Sequence, residues 1–308
     1  MKDNPKLQKT IVALICAAIL TALTYLAIFK FGSYGLALFI LVPYLLGFLP
    51  VFINKKYIDK NDKSFKIGYL TLAFYFILLI AAAMEGAICI VMALPLELLL
   101  CYLGMKVAEI LIDKKIENNS IPILLLFVTP LFSFLEKDAE PSTHTVTSEI
   151  VVNKNINDVW EHIIEFPQLK EPEEFIFKAG ISYPIHAHIE GKGVGAVRYC
   201  TFSTGSFVEP ITTWQEPTLL AFDVLEQPKP MTEISWYDLE APHLDDYFLS
   251  KKGEFRMEAL NENQTKITGT TWYIHRIKPE WYWQIWSNTI IHKIHDRVLD
   301  HIKHNAEQ

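Results

Sequence analysis

Cysteine is scarce in this 308-residue chain, and its four residues form no framework. Cys16, Cys89 and Cys101 lie in apolar runs, and Cys200 stands alone in the later half. Neither a disulfide ladder nor the paired spacing of a structural zinc site can be built from them, so cysteine leaves the redox compartment open. An excess of positive charge is missing as well. Residues 143–308 carry 15 Lys/Arg against 24 Asp/Glu, while residues 1–142 carry 13 against 11. A phosphate backbone needs clustered cations, so nucleic acid is excluded as a partner. The apolar segments show no inverted duplication, pore loop or transporter repeat.

What is present is a change of solvent near residue 140. Hydrophobic residues make up 51% of the chain and the mean hydropathy is +0.20, with the excess in the first half. Five apolar blocks occupy 10–29, 34–53, 68–84, 87–105 and 121–135, within a membrane domain of residues 1–136. About twenty apolar residues cross the roughly 30 Å of bilayer hydrocarbon as a helix. Lys2, Lys6 and Lys9 precede the first block as they would in a signal peptide. That block is long and more follow, so it reads as a first membrane helix. The fifth block is the shortest and contains Pro122 and Pro130.

Lysine placement sets orientation, because short cytoplasmic loops are enriched in it. With the N-terminus in the cytoplasm and five spans, eleven lysines face inward and only Lys30 and Lys137 face outward. This puts the second half on the outer side of a cell membrane, provided 121–135 crosses. If that segment lies flat or re-enters, the second half returns to the cytoplasm. Glu97 lies mid-way along the fourth block, next but one to Pro95. A carboxylate there is costly and usually functional. With no cation in the spans to pair it, a protonated Glu97 packed on a neighbouring helix is the preferred reading.

Residues 137–144 read as a linker and 145–308 as a water-soluble domain. Residues 145–152 alternate as a strand. Asn155, Asn157 and Asp158 supply capping residues before an amphipathic helix of Val159, Trp160, Ile163, Ile164 and Phe166, closed by Pro167. A short helical piece at 171–175 precedes strands at 177–190, 196–203, 207–215, 219–226, 248–260 and 266–276. Turn residues separate them: Gly191–Gly195, Thr204-Gly205, and Asn261-Glu-Asn-Gln264. Pro279 then opens a helix that runs nearly to the end, its apolar stripe marked by Trp283, Ile290, Ile294, Val298 and Ile302. The order is strand, one or two short helices, six strands, long helix. It predicts an α+β domain in which an antiparallel sheet curls around the terminal helix, because hairpins link the strands and the stripe needs a sheet to cover.

Three motifs carry a resemblance: Ser148-Glu-Ile-Val-Val-Asn153, Asn157-Asp-Val-Trp-Glu-His162 and Phe166-Pro167. Together with the Gly191-Lys-Gly-Val-Gly195 turn and the terminal helix, they make residues 145–305 similar to the START-like, or SRPBCC, superfamily. That group has the helix-grip fold and includes polyketide cyclases and lipid-transfer domains. A multi-pass N-terminal half departs from its better-known members. The resemblance implies a cavity between sheet and long helix for a hydrophobic or lipid-like small molecule. It implies no shared catalytic set.

Candidate cavity and lid residues are Arg198, Phe202, Glu209, Trp214, Phe222, Trp236, His243, Tyr273, His275, Trp283, Trp286 and His295. Residues 227–247 lack periodicity and read as a lid or a surface insertion, with Trp236, Tyr237 and His243 placed to close a mouth or touch a membrane. Arg198 and Glu209 flank the Thr204-Gly205 turn. They form either a cross-strand ion pair or, through the Arg198 fork, an anchor for an anionic ligand group. His186/His188 and His292/His295 pair on single faces, but no carboxylate accompanies them at a ligating spacing, so neither a metal nor a cofactor is expected.

The favoured function is a membrane-anchored carrier or sensor of a hydrophobic or lipid-like molecule, without catalysis. The partners would then be that molecule and the lipid membrane. Alternatives are a cyclase- or hydrolase-type enzyme using a cavity His or carboxylate, and a protein-interaction module with a vestigial cavity. A cavity below about 150 Å³ favours the last of these, since ordinary ligand pockets are larger. A histidine and a carboxylate converging on the cavity wall favour the enzyme.

Overall fold

The computed structural model describes residues 5–57, 65–116, 120–136, 140–234, 239 and 241–308. Lys60, Lys63, Lys137, Trp236 and Tyr237 lie outside the described residues. The chain forms two compact units. The first holds Met1–Glu140, Glu233–His243 and Arg276–Trp281, and the second holds Pro141–Thr232, Leu244–His275 and Tyr282–Gln308. Parts of the expected lid, and the stretch just before the last helix, belong to the first unit.

The first unit is helical. Helix α1 (Pro5–Tyr25) continues into a wide π-type turn, Leu26–Lys30, and a second such turn, Ala37–Leu41, leads into α2 (Val42–Ile53). Helices α3 (Phe65–Ala81), α4 (Ala87–Asp113) and α5 (Ser120–Glu136) follow. Among the described residues, Lys6–Lys30 and Ala87–Asp113 are long and apolar enough to cross a membrane; Ala37–Ile53, Lys66–Ala81 and Ser120–Glu136 are apolar but shorter. At 1.5 Å rise per residue a 17-residue helix reaches only about 25 Å, which is why these three fall short. Small residues let α2 and α4 approach closely: a Cβ on Gly47 would strike the Cys101 carbonyl, and one on Gly104 would strike that of Tyr44. Glu97 is buried in α4, 6% exposed.

The second unit opens with β1 (Thr143–Val152), so the last two residues of the expected linker are already strand. Helix α6 (Ile156–Ile164) starts where the sequence placed its cap, with the Asn155 side chain accepting from the Asn157 amide at 2.9 Å. The short helix α7 is Phe175–Lys178. It removes the first part of the strand expected at 177–190, and β2 is only Pro184–Glu190. Strands β3 (Val197–Phe202), β4 (Gly205–Gln215), β5 (Leu219–Asp223), β6 (Phe248–Asn261) and β7 (Gln264–His275) precede α8 (Glu280–Ala306).

The seven strands form one sheet in the order β1-β7-β6-β5-β4-β3-β2, and every pairing is antiparallel. β2 through β7 pair in chain order, with a long connection between β5 and β6, and β1 returns beside β7. Val298, Leu299 and Ile302 of α8 share one buried core with Val152, Phe222, Met257 and Ile267 of the sheet and with Val159, Trp160 and Ile163 of α6. The terminal helix therefore lies on the sheet face, as the element order required.

Candidate functional site

Alternation along β3 turns Arg198, Cys200 and Phe202 to one face, and the same face of β4 and β5 presents Phe207, Glu209 and Phe222. Against them α8 sets Ile291, Ile294, His295 and Val298, which helical spacing brings onto one side. Between the two surfaces is a cavity of about 140 Å³, also walled by Phe248, Phe255 and Thr271. Its wall is mainly aromatic and aliphatic, with a few placed polar groups.

The largest of these polar groups is an ion pair. Arg198 and Glu209 are directly opposed in the β3–β4 register, 2% and 6% exposed, with the Arg198 Nη1 donating to Glu209 Oε2. The guanidinium also donates through Nε to the Ile164 carbonyl and lies 5.4–5.8 Å from the ring centres of Phe166, Phe222 and Phe255. Burial pushes the Glu209 carboxyl above the usual carboxylate range, while the guanidinium beside it acts in the opposite direction. The fork is filled by its own strand neighbour and the helix end. It serves as a wall of the cavity, which is the cross-strand reading of the pair.

His295 holds the helix to the sheet through hydroxyls: Nε2 is 2.8 Å from Thr271 Oγ1, and Nδ1 is 3.3 Å from Ser148 Oγ. Burial lowers its ring pKa to about 4, and nearby His292 adds to the effect. His292 also reaches Ser148, at 2.8 Å. Among the described residues, no histidine–carboxylate hydrogen bond lines the cavity. The Cys200 thiol is pushed up to about 12 by burial and is a poor nucleophile.

The structure thus gathers five of the expected residues at the cavity: Arg198, Phe202, Glu209, Phe222 and His295. The others lie elsewhere. Trp214 packs edge-on against Trp160, with ring centres 5.6 Å apart. Tyr273 is fully buried beyond the cavity, donating to Asn288 Oδ1 at 2.6 Å, and His275 stacks on His144 at 5.1 Å. Trp283 is buried and Trp286 half-buried, neither on the cavity wall. Trp236 is outside the described residues. His243 belongs to the first unit, where it meets Cys89 and Tyr34 rather than a cavity mouth. Phe207, Phe255 and Ile294 line the cavity without having been singled out as site residues; of the three, Ile294 lies on the apolar stripe expected of the last helix.

No family model matches the chain, and no curated protein does. Among solved structures, truncated norcoclaurine synthase from Thalictrum flavum is similar at 17% identity, covering 54% of this chain and 94% of that one, with a TM-score of 0.35. An aromatase/cyclase from a Streptomyces species is similar at 13% identity, with the same coverage of both chains and the same score. An uncharacterised Bacillus thuringiensis protein matches at 12% identity, over 54% of this chain and all of that one, also at 0.35. Identities and scores this low speak to neither family nor activity.

Proposed function

We propose that this chain is a membrane-anchored helix-grip protein whose cavity takes up a compact apolar molecule without transforming it. The observation that carries this reading is the cavity between the sheet and α8, walled by Phe202, Phe207, Phe222 and Phe255 and floored by an ion pair whose charges are already satisfied. An apolar cavity near 150 Å³ accommodates about one aromatic ring. An acyl chain is larger, so a lipid-like guest requires α8 to move away from the sheet. Absence of turnover is argued from the occupied partners of Glu209 and His295.

Membrane anchoring is supported by the two long apolar helices and by an apolar outer surface on the first unit. Ile77, Val91, Leu124 and Phe127 are each 60% or more exposed. In this reading all five helices enter the bilayer, the N-terminus is cytoplasmic, and the sheet-bearing unit is on the outer side near a reservoir of apolar molecules. Glu97 is a neutral packing group in α4.

The test is mass spectrometry of the full-length protein purified in mild detergent, both native and after solvent extraction. An apolar small molecule should accompany the wild type and be lost from a Val298→Phe variant that fills the cavity. Identical extracts from the two, together with no uptake of a single-ring aromatic probe, would sink the proposal. The cavity volume favours a second reading, a protein-interaction module with a vestigial cavity, because 140 Å³ lies below the size of ordinary ligand pockets. That reading predicts the same extraction result for both proteins and a partner retained by both.

A further inference from the structure

The first unit contains a cluster that the cavity reading does not use. Glu85 lies in the turn between α3 and α4, Cys89 in the first turn of α4, and His243 in the segment Glu233–His243 that packs with these helices as part of the same unit. One ligand atom from each, a carboxylate oxygen, a thiol sulfur and a ring nitrogen, lies within 4.8 Å of the other two. Cys89 Sγ is 3.0 Å from His243 Nε2, and Glu85 Oε2 is 3.7 Å from His243 Nδ1. His243 is 6% exposed.

The geometry points to a three-ligand site for a divalent transition metal of the Zn²⁺ class, formed by Glu85, Cys89 and His243. Sulfur, imidazole and carboxylate are the donors such an ion prefers, at about 2.0–2.3 Å each. Donors already within 4.8 Å of one another surround a point that small side-chain rotations bring within bonding distance of all three. Metal-bound histidines are held by a partner on the second ring nitrogen. Here the Tyr34 hydroxyl is 3.0 Å from His243 Nδ1, leaving Nε2 turned toward Cys89. Three protein ligands leave a fourth position for water or another small ligand.

A thiol hydrogen-bonded to a histidine also suits a cysteine nucleophile. The surroundings argue against it. The amides of Ile88 and Cys89, the natural donors to an oxyanion at this helix end, are occupied by the Glu233 carboxylate at 2.9 and 3.0 Å. Two carboxylates, Glu85 and Glu233, therefore crowd the thiol. A thiolate beside them is repelled unless a cation is bound between, and a dication reconciles the set. Sequence spacing could not announce it, because His243 is 154 residues from Cys89.

The test uses tag-free, full-length protein in detergent, stripped with a chelator and titrated with Zn²⁺ against a chromophoric competitor. About one equivalent should bind. Substituting Co²⁺ should give a thiolate-to-metal absorption band that is missing in Cys89→Ser. His243→Gln and Glu85→Gln should each weaken Zn²⁺ binding tenfold or more, and Tyr34→Phe by about tenfold as an orienting residue. The wild-type cobalt spectrum depends on no variant's folding. A wild type without the thiolate band, or with Zn²⁺ affinity equal to that of Cys89→Ser, overturns the proposal.

Discussion

Arg198 on β3 and Glu209 on β4 stand directly opposite one another, fully inside the second unit, as a charged floor to an otherwise apolar cavity. A buried pair stabilises little over apolar replacements, but a broken one is expensive, because it leaves a buried charge uncompensated. Glu209→Gln should therefore cost about 3–5 kcal/mol. The double change Arg198→Met with Glu209→Leu should cost clearly less than the two single changes together. Denaturant unfolding followed by tryptophan fluorescence checks this, and simple additivity would count against a coupled pair.

The cavity makes a second prediction about packing. Enlarging a side chain in a filled core costs about 1–3 kcal/mol. Val298→Phe points into free volume and should cost less than about 1 kcal/mol, whereas Trp160→Ala, in the solid core beneath α6, should cost about 3–5 kcal/mol. Equal penalties at the two positions would mean that the space beside Val298 is already filled.

Acid should loosen the contact between α8 and the sheet. His295 has a folded-state pKa near 4 against an ordinary 6.5, so the unfolded chain takes up the proton first as pH falls. Its contribution is complete above about pH 6.5 and lost progressively toward pH 4, on the order of 1–3 kcal/mol. His295→Gln should flatten this part of the stability curve, measured as unfolding midpoints between pH 7 and pH 4. A curve with unchanged slope would refute the assignment.

The cap on α6 is a local test. Asn155→Ala should cost about 1 kcal/mol and Asn155→Gly only a few tenths, by loss of the hydrogen bond to the Asn157 amide. Thermal melts of the two variants compare them directly.

Topology has its own readout. A reporter active only outside the cytoplasm, fused after Gln308, should be active if α5 completes an odd number of crossings. Activity of a cytoplasm-only reporter at the same point would show that Ser120–Glu136 does not cross.

Much of the second unit was legible residue by residue. Asn155 marked the start of α6 and the Ile294–Val298–Ile302 stripe the buried side of α8, while the expected Thr204-Gly205 turn falls one residue earlier, at Ser203-Thr204, with Gly205 already in β4; caps, turns and periodicity are properties of near neighbours in the chain. Phe177 misled: apolar residues in short runs suit a strand or a helix equally, and Phe177 is buried in the short helix α7. The facing of Arg198 toward Glu209 was undecidable before the register was known, since a one-residue slip reverses every side chain on a strand.

The sequence by itself determined the order of the strands in the second unit, the long helix that follows them, and which stripe of that helix is buried. Hydrophobic period and turn chemistry act over a few residues and can be read from them directly. Only the tertiary structure decided that His243 joins Glu85 and Cys89 instead of closing the cavity, that Arg198 is occupied by Glu209, and that the hollow beneath α8 is ring-sized. Each of these depends on where segments distant along the chain come together, and on how nearly their side chains fill the space between them.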